Sequence, residues 1–357
     1  FANFSHAPAE QLATRLAAHT GLERMFFSDN GSTAVEVALK IAWQWWRNQG
    51  SERRQLIAFE GAYHGDTFGA MALGDRSVFT DPYDSLLFDV RRLPWPHTHW
   101  GDSSVEVREQ DALAALDQAL ETPTAALILE PLIQGASGMR LVRPAFLRAV
   151  QARVHEKGAL LIADEVMTGF GRTGALFASA LAGLQPDLMA LSKGLTGGFL
   201  PMGATMASER LYQGFISREP SHTFFHGHSF TANPLGCAAA LASLDLLEAN
   251  PEAYSGFESR HRRHLGASAT ARRHRTGALP GHDGGLRADD RRHRVSQPDR
   301  PPTAAPGPSA RCVSAPPRQC GVSAAAAVHQ RQPAGTLLCS DCIRPCDFAP
   351  LSGHPSG

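Results

Sequence analysis

Between Arg24 and Ala249, short apolar runs alternate with segments whose apolar residues recur at helical spacing, and no other feature of the chain restricts its fold as strongly. Arg24 to Ser28 (RMFFS) predicts a strand, and Thr33 to Trp46 predicts a helix with Val37, Ile41 and Trp45 on one face. Gln55 to Phe59 predicts a second strand, and Ala125 to Glu130 (AALILE) a buried strand ending on an acid. Ala145 to Lys157 reads as an amphipathic helix, Ala159 to Asp164 (ALLIAD) as the next strand, and Asp187 to Ser192 as another, with Lys193 directly behind it. Leu235 to Ala249 closes the region as an Ala/Leu-rich helix. Strands that alternate with helices are joined by crossovers, so the pattern implies an α/β fold with a mostly parallel sheet covered on both faces. Such sheets bind ligands at the carboxyl ends of their strands, and the polar residues of interest fall there.

The composition breaks near residue 265. From Ala271 to Gly357 there are 12 of the 24 prolines and 5 of the 6 cysteines, no Lys, Trp or Tyr, and only 11 Leu, Ile, Val or Phe among 87 residues. That is too little apolar material for a packed core. Two pieces are therefore expected: residues 1–265 as an ordered domain, and residues 266–357 as a disordered, Arg/Pro/Ala-rich tail. Lys+Arg and Asp+Glu are both 34, so no global field favours nucleic acid or an anionic membrane. No apolar run is long enough to span a bilayer, and Phe1 to Gly21 lacks the pattern of a signal peptide, so a cytoplasmic protein is expected. Cys339, Cys342 and Cys346 form a C-x2-C-x3-C cluster that could hold zinc with Cys312, Cys320 or a histidine; without a core around them, chance cysteines are the simpler reading. The tail's arginines could suit a nucleic acid, but no repeats or interleaved aromatics accompany them.

Three short motifs carry chemistry. Asp29-Asn30-Gly31-Ser32 stands between a strand and a helix, where free N–H groups and a hydroxyl suit a phosphate; the alternative is an ordinary helix cap, with Ser32 capping and Glu36 behind it. Asp164-Glu165 ends a strongly apolar strand, where a carboxylate is costly unless paired. Pyridoxal phosphate chemistry needs such a carboxylate beside the ring nitrogen; a structural acid capping the Gly-rich loop behind it is the alternative. Lys193 is one of only three lysines, with Lys40 and Lys157, and it leads into Gly194-Leu-Thr-Gly-Gly198. A desolvated lysine there could form a Schiff base, which arginine could not; an ordinary strand-end lysine is the alternative.

These motifs join others in a fixed order: Gly61-Ala-Tyr-His-Gly-Asp-Thr67, Asp164-Glu-Val-Met-Thr-Gly-Phe-Gly-Arg-Thr-Gly174, residues 191–198, and His226-Gly-His-Ser-Phe-Thr-Ala-Asn-Pro234. From about Ala9 to Leu265 the chain resembles the class III aminotransferases, which implies the large domain of fold type I and pyridoxal 5'-phosphate as cofactor. The resemblance implies that Lys193 binds the cofactor and moves the substrate proton, that Asp164 pairs with the ring nitrogen, and that Gly31 and Ser32 receive the phosphate. It implies Tyr63 and Val166 on the two ring faces, Glu130 near the 3-hydroxyl side, and Arg172 shaping the substrate pocket, where Tyr63 and Lys193 also stand. Gly227, His228 and Ser229 would come from the neighbouring subunit of a homodimer, Gly227 beside the substrate and Ser229 at the phosphate. Read without the family, Tyr63 could be a core tyrosine, His64 a satisfied loop histidine, and Trp43, Trp45 and Trp46 helix-packing residues. His226 and His228 in a Gly-rich loop fit no standard metal spacing, so no metal is expected.

Gly31-Ser-Thr-Ala-Val-Glu-Val-Ala-Leu-Lys40 with its tryptophans, and Tyr63-His-Gly-Asp-Thr-Phe-Gly-Ala-Met71, resemble the branch that moves an amine from S-adenosylmethionine to 8-amino-7-oxononanoate in biotin synthesis, giving 7,8-diaminononanoate. Another class III transaminase acting on an ω-amino acid or diamine is the alternative. The resemblance also implies family segments before Phe1, and a small C-terminal α/β domain after Leu265 whose arginine takes the substrate carboxylate. The residues from about 266 match none of that domain and look like an out-of-frame reading of a GC-rich gene. The expectation is therefore a truncated chain; an inactive remnant is the third reading.

Overall fold

The computed structural model describes residues 5–99 and 101–256, together with the backbone of Cys342–Ile343. The expected tail disorder, the cysteine cluster and the boundary at 265/266 otherwise lie outside the described residues.

The alternating pattern folds as the sequence predicts. The strands are β1 (Arg24–Ser28), β2 (Gln55–Phe59), β3 (Arg91–Leu93), β4 (Thr124–Leu129), β5 (Ile133–Gln134), β6 (Arg140–Leu141), β7 (Leu160–Asp164), β8 (Leu188–Leu191), β9 (Gly203–Ala207) and β10 (Cys342–Ile343). The α-helices are α1 (Ala7–Thr20), α2 (Gly31–Asn48), α3 (Phe68–Leu73), α4 (Val105–Ala119), α5 (Pro144–Glu156), α6 (Ala178–Ala182), α7 (Glu209–Gln213) and α8 (Pro234–Ala249). The main sheet runs β10-β1-β9-β8-β7-β4-β2-β3, and β5 pairs with β6 in a separate hairpin. The pairs from β8 through β7, β4 and β2 to β3 are parallel, whereas β9 is antiparallel to both β8 and β1. β1 therefore points the same way as β8, and its carboxyl end joins theirs at one edge. β10 pairs antiparallel with the outer side of β1.

Strand side chains alternate between the two sheet faces. In β4, Ala126 and Ile128 pack with α2, while Leu127 and Leu129 pack with α4 and α5. β7 repeats this, with Leu160 and Ile162 on the α2 face and Leu161 on the α5 face. Every one of these residues is buried, as central strands covered by helices require. At the other end of the sheet, α1 and α8 cover β1, β8 and β9 through Leu12, Leu16, Phe27, Met189, Met206 and Leu244. All of the described residues lie in one compact unit.

The predicted elements agree with the observed ones to within about two residues, the ordinary uncertainty of helix ends. β9 carries little signal: Gly203–Ala207 is short, small and lies behind a glycine-rich loop. Of the three tryptophans in α2, Trp45 is buried and Trp46 partly so, but Trp43 is exposed, so only part of the helix-packing reading holds. Among the described residues no helix is long and apolar enough to cross a membrane, and no cluster of His, Cys, Asp or Glu could hold a metal ion.

Candidate active site

The carboxyl ends of β1, β4, β7 and β8 surround a cavity of about 640 Å³ lined by Gly31, Ser32, Tyr63, Glu130, Asp164, Val166 and Lys193, among others. Six of the strands point toward this edge, so residues up to about 160 positions apart in the chain meet at the cavity.

One wall is the start of α2. Asn30 is its N-cap: the Asn30 side chain accepts from Thr33 N–H, and the Thr33 hydroxyl accepts from Asn30 N–H. The alternative reading, with Ser32 as the cap, is therefore corrected: Asn30 caps the helix. With Asn30 in that role, the Gly31 and Ser32 N–H groups are the first of the helix, which have no intrahelical acceptor. The Ser32 hydroxyl accepts from Thr67 N–H at 3.0 Å and lies 2.7 Å from the Thr67 hydroxyl, which donates to Glu36. Glu36 also accepts from Gly69 and Ala70 N–H and so caps α3. Gly31 is required sterically, because a Cβ there would stand 2.5 Å from Val166 Cγ1.

The floor holds the acids. Asp164 is buried; its Oδ1 accepts from Val166 N–H at 3.0 Å and its Oδ2 lies 2.7 Å from His64 Nδ1. A carboxylate oxygen accepts, so His64 Nδ1 is the donor of this bond. Neighbouring Glu165 points the other way. It takes N–H groups from Ala178 and Ser179 and the Thr168 hydroxyl, and burial pushes its carboxyl above the usual range. The sequence alternative of a structural acid thus describes Glu165, while Asp164 faces the cavity. Glu130 is also buried, with Tyr63 N–H at 3.3 Å from Oε1 and Gly135 N–H at 2.9 Å from Oε2. Burial, opposed by His64 and reinforced by Asp164, pushes it up to about 7.

Tyr63 is not a core residue: its ring is exposed at the mouth and its hydroxyl donates to Asp66 at 3.0 Å. Partial loss of water around the phenol, then that bond, raises its pKa above the usual value. His64, read alternatively as a loop histidine with satisfied bonds, is instead fully buried, and its Nε2 has no hydrogen-bond partner among the described residues.

Lys193 lines the cavity with φ 47, in the left-handed region that few non-glycine residues occupy. Such backbone costs about 1–3 kcal/mol and tends to occur where function demands it. The lysine follows β8 after Ser192, which anchors the turn by donating to Met202 O at 2.7 Å. The expectation of a desolvated amine is corrected, since Lys193 is exposed at the open side of the cavity. Arg172 is exposed in the loop after β7 and does not line this cavity. Gly227, His228 and Ser229 do not line it either. His228 instead faces its own chain, with Nε2 3.1 Å from Phe27 O and Nδ1 3.0 Å from Asp29 Oδ1.

A mostly parallel sheet that gathers a lysine, a buried carboxylate and a helix N-terminus at its strand ends has the fold of a pyridoxal-phosphate-dependent transferase. The Aminotransferase class-III family profile matches residues 1–259, and the chain belongs to that family. It is 60% identical over 264 residues to the adenosylmethionine-8-amino-7-oxononanoate aminotransferase of Synechococcus elongatus, covering 73% of this chain and 62% of that protein. Its counterpart in Geobacter sulfurreducens is 46% identical over 249 residues, covering 67% and 55%. The chain thus spans less than two thirds of the length of these relatives. Among solved structures, the enzyme of that name from Methanocaldococcus jannaschii superimposes with a TM-score of 0.63 at 34% identity, covering 69% of this chain and 56% of that one. An amine transaminase from an uncultivated Pseudomonas species, in its PLP-bound form, gives 0.66 at 34% identity, covering 70% and 59%.

The family and the PLP-bound neighbour indicate pyridoxal phosphate, and the residues present fit it. The first N–H groups of α2 suit a phosphate, a buried carboxylate suits a protonated ring nitrogen, and Gly31 leaves Val166 free to form a wall.

Proposed function

We propose that this chain carries the cofactor-binding large domain, residues 1–265, of a transaminase that moves the amine of S-adenosylmethionine to 8-amino-7-oxononanoate. The observation that carries the chemistry is the convergence of Lys193, Asp164 and the Gly31-Ser32 helix start on one cavity. The choice of substrates is supported by the 60% identity to a relative named for that reaction.

Bound pyridoxal phosphate supplies an aldehyde that takes amines and a ring that withdraws electrons. Lys193 Nζ would hold it and carry the proton to and from the substrate's α-carbon, as a positioned amine can. The Asp164 carboxylate would keep the ring nitrogen protonated. Gly31 and Ser32 N–H, backed by the α2 dipole, would take the phosphate. Val166 and Tyr63 would flank the ring, Glu130 would face its 3-hydroxyl side, and Arg172 would shape the substrate end. In a cytoplasmic homodimer, Gly227, His228 and Ser229 would serve the neighbouring subunit's site. The exclusion of Gly227 and Ser229 from the cavity of their own chain agrees with this, whereas His228 is held within its own chain by Phe27 and Asp29.

The test is uptake of pyridoxal phosphate by the purified chain, followed by borohydride reduction and peptide mapping. The expected result is a modified Lys193, and no modification in Lys193→Ala. S-adenosylmethionine should then bleach the bound cofactor's absorbance where ω-amino acids and diamines do not. Failure of the folded chain to take up cofactor would overturn the proposal, and a diamine acting as the better donor would overturn the substrate assignment.

A further inference from the structure

His64 lies outside every role considered so far, yet its packing has no use for an imidazole except one. The side chain is fully buried and Nε2 has no partner among the described residues, so that nitrogen is a cost to the fold. The ring's polarity is used only at Nδ1, 2.7 Å from Asp164 Oδ2. The local backbone holds the ring in place. Gly65, at φ 129, presses so closely on Ser32 that a Cβ would lie 2.4 Å from its Oγ. The Tyr63 N–H next door is held by Glu130. Asp164 has a single backbone donor, Val166 N–H, so without His64 its Oδ2 would have no hydrogen-bond partner among the described residues in a buried setting.

We propose that His64 is a positioning residue of the cofactor site, acting through Asp164: its Nδ1–H fixes the carboxylate in the orientation that meets the ring nitrogen. This rests on the reading of the cavity as a pyridoxal phosphate site. The ionisable groups around the pair are Glu130 behind it, Tyr63 and Asp66 on the adjoining loop, and Lys193 at the end of β8. His64 alone among them donates to Asp164.

Two amides of similar polarity separate this role from simple filling of space. His64→Asn carries an N–H donor where Nδ1 stands, whereas His64→Gln carries it one bond further out, near Nε2. Each protein would be titrated with pyridoxal phosphate, and the pH midpoint of the bound cofactor's absorbance change would be recorded. The expected result is that His64→Asn stays within about threefold of the parent affinity, whereas His64→Gln binds about tenfold more weakly. The midpoint should move by about one pH unit in His64→Gln alone. Equal behaviour of the two variants, both folded by circular dichroism and both taking up cofactor, would overturn the role of His64 and leave the cofactor site standing. No uptake by the folded parent protein would overturn the site, and this role with it.

Discussion

Glu130 shows how one buried group couples the site to the fold. Only 4% exposed and pushed from 4.5 to about 7, it binds its proton more tightly in the folded chain than in the unfolded one. Between those values the folded state holds more protons, so stability falls as pH rises through that window. A shift of this size corresponds to ~3 kcal/mol at most, lost by pH 8 relative to pH 4. Glu130→Gln has no such titration, so its melting temperature relative to the parent should improve from pH 5 to pH 8; a constant difference would show that Glu130 is not proton-linked to folding. At this scale the sequence revealed identities better than environments. That Lys193, Asp164 and Gly31 would meet at the strand ends was legible, because each residue type is rare or costly where it stands. The exposure of Lys193 and the burial of His64 were not, because each depends on what distant segments bring alongside. The turn of Asp164 toward the cavity and of Glu165 away from it agrees with strand alternation, but the unbroken apolar run of β7 gives no period that says which of the two faces the cavity.

The start of α2 separates stability from binding. Asn30 makes both bonds of its capping box, so Asn30→Ala should lower unfolding stability by ~1 kcal/mol, measured as a shift of the urea midpoint at unchanged slope. Ser32→Ala leaves that cap intact but removes a hydroxyl beside the proposed phosphate, so it should weaken pyridoxal phosphate binding about tenfold, on top of a modest fall in the urea midpoint from the unpaired Thr67 N–H. If the two variants exchanged effects, the assignment of cap and ligand would be reversed. The elements themselves were largely legible, because a central strand covered on both faces must be an unbroken apolar run, as β4 and β7 are. What escaped the sequence were elements made by tertiary contact. β9 is too small and short to announce itself, and it is fixed by ladders to β8 on one side and β1 on the other. The N-cap fell on Asn30 rather than Ser32 because both residues suit caps, and only backbone geometry distinguishes them.

At the level of the whole molecule, the proposed homodimer needs an apolar surface to bury. A second groove, of about 910 Å³, runs between α2 and the 221–225 segment, lined by Trp43, Phe88 and Phe225 with Lys40, Arg47 and Arg54. Phe225 and Phe230 are 76% and 71% exposed on either side of Gly227, His228 and Ser229. Contiguous exposed aromatics of this kind mark interfaces. In the proposed homodimer this loop crosses to the neighbour, so one substitution should affect both assembly and cofactor binding. Phe225→Glu places a charge in the groove wall and outside the lining of the chain's own Lys193 cavity. By the usual cost of losing a central aromatic anchor, ~2 kcal/mol or more, dimer dissociation should strengthen about thirtyfold, read by light scattering across a dilution series. Pyridoxal phosphate affinity should fall in parallel with the dimer fraction, because each site loses the Ser229 of the neighbouring subunit. A Phe225→Glu protein that becomes monomeric yet binds cofactor as the parent does would place Ser229 outside the site. One that remains dimeric would move the interface away from this groove.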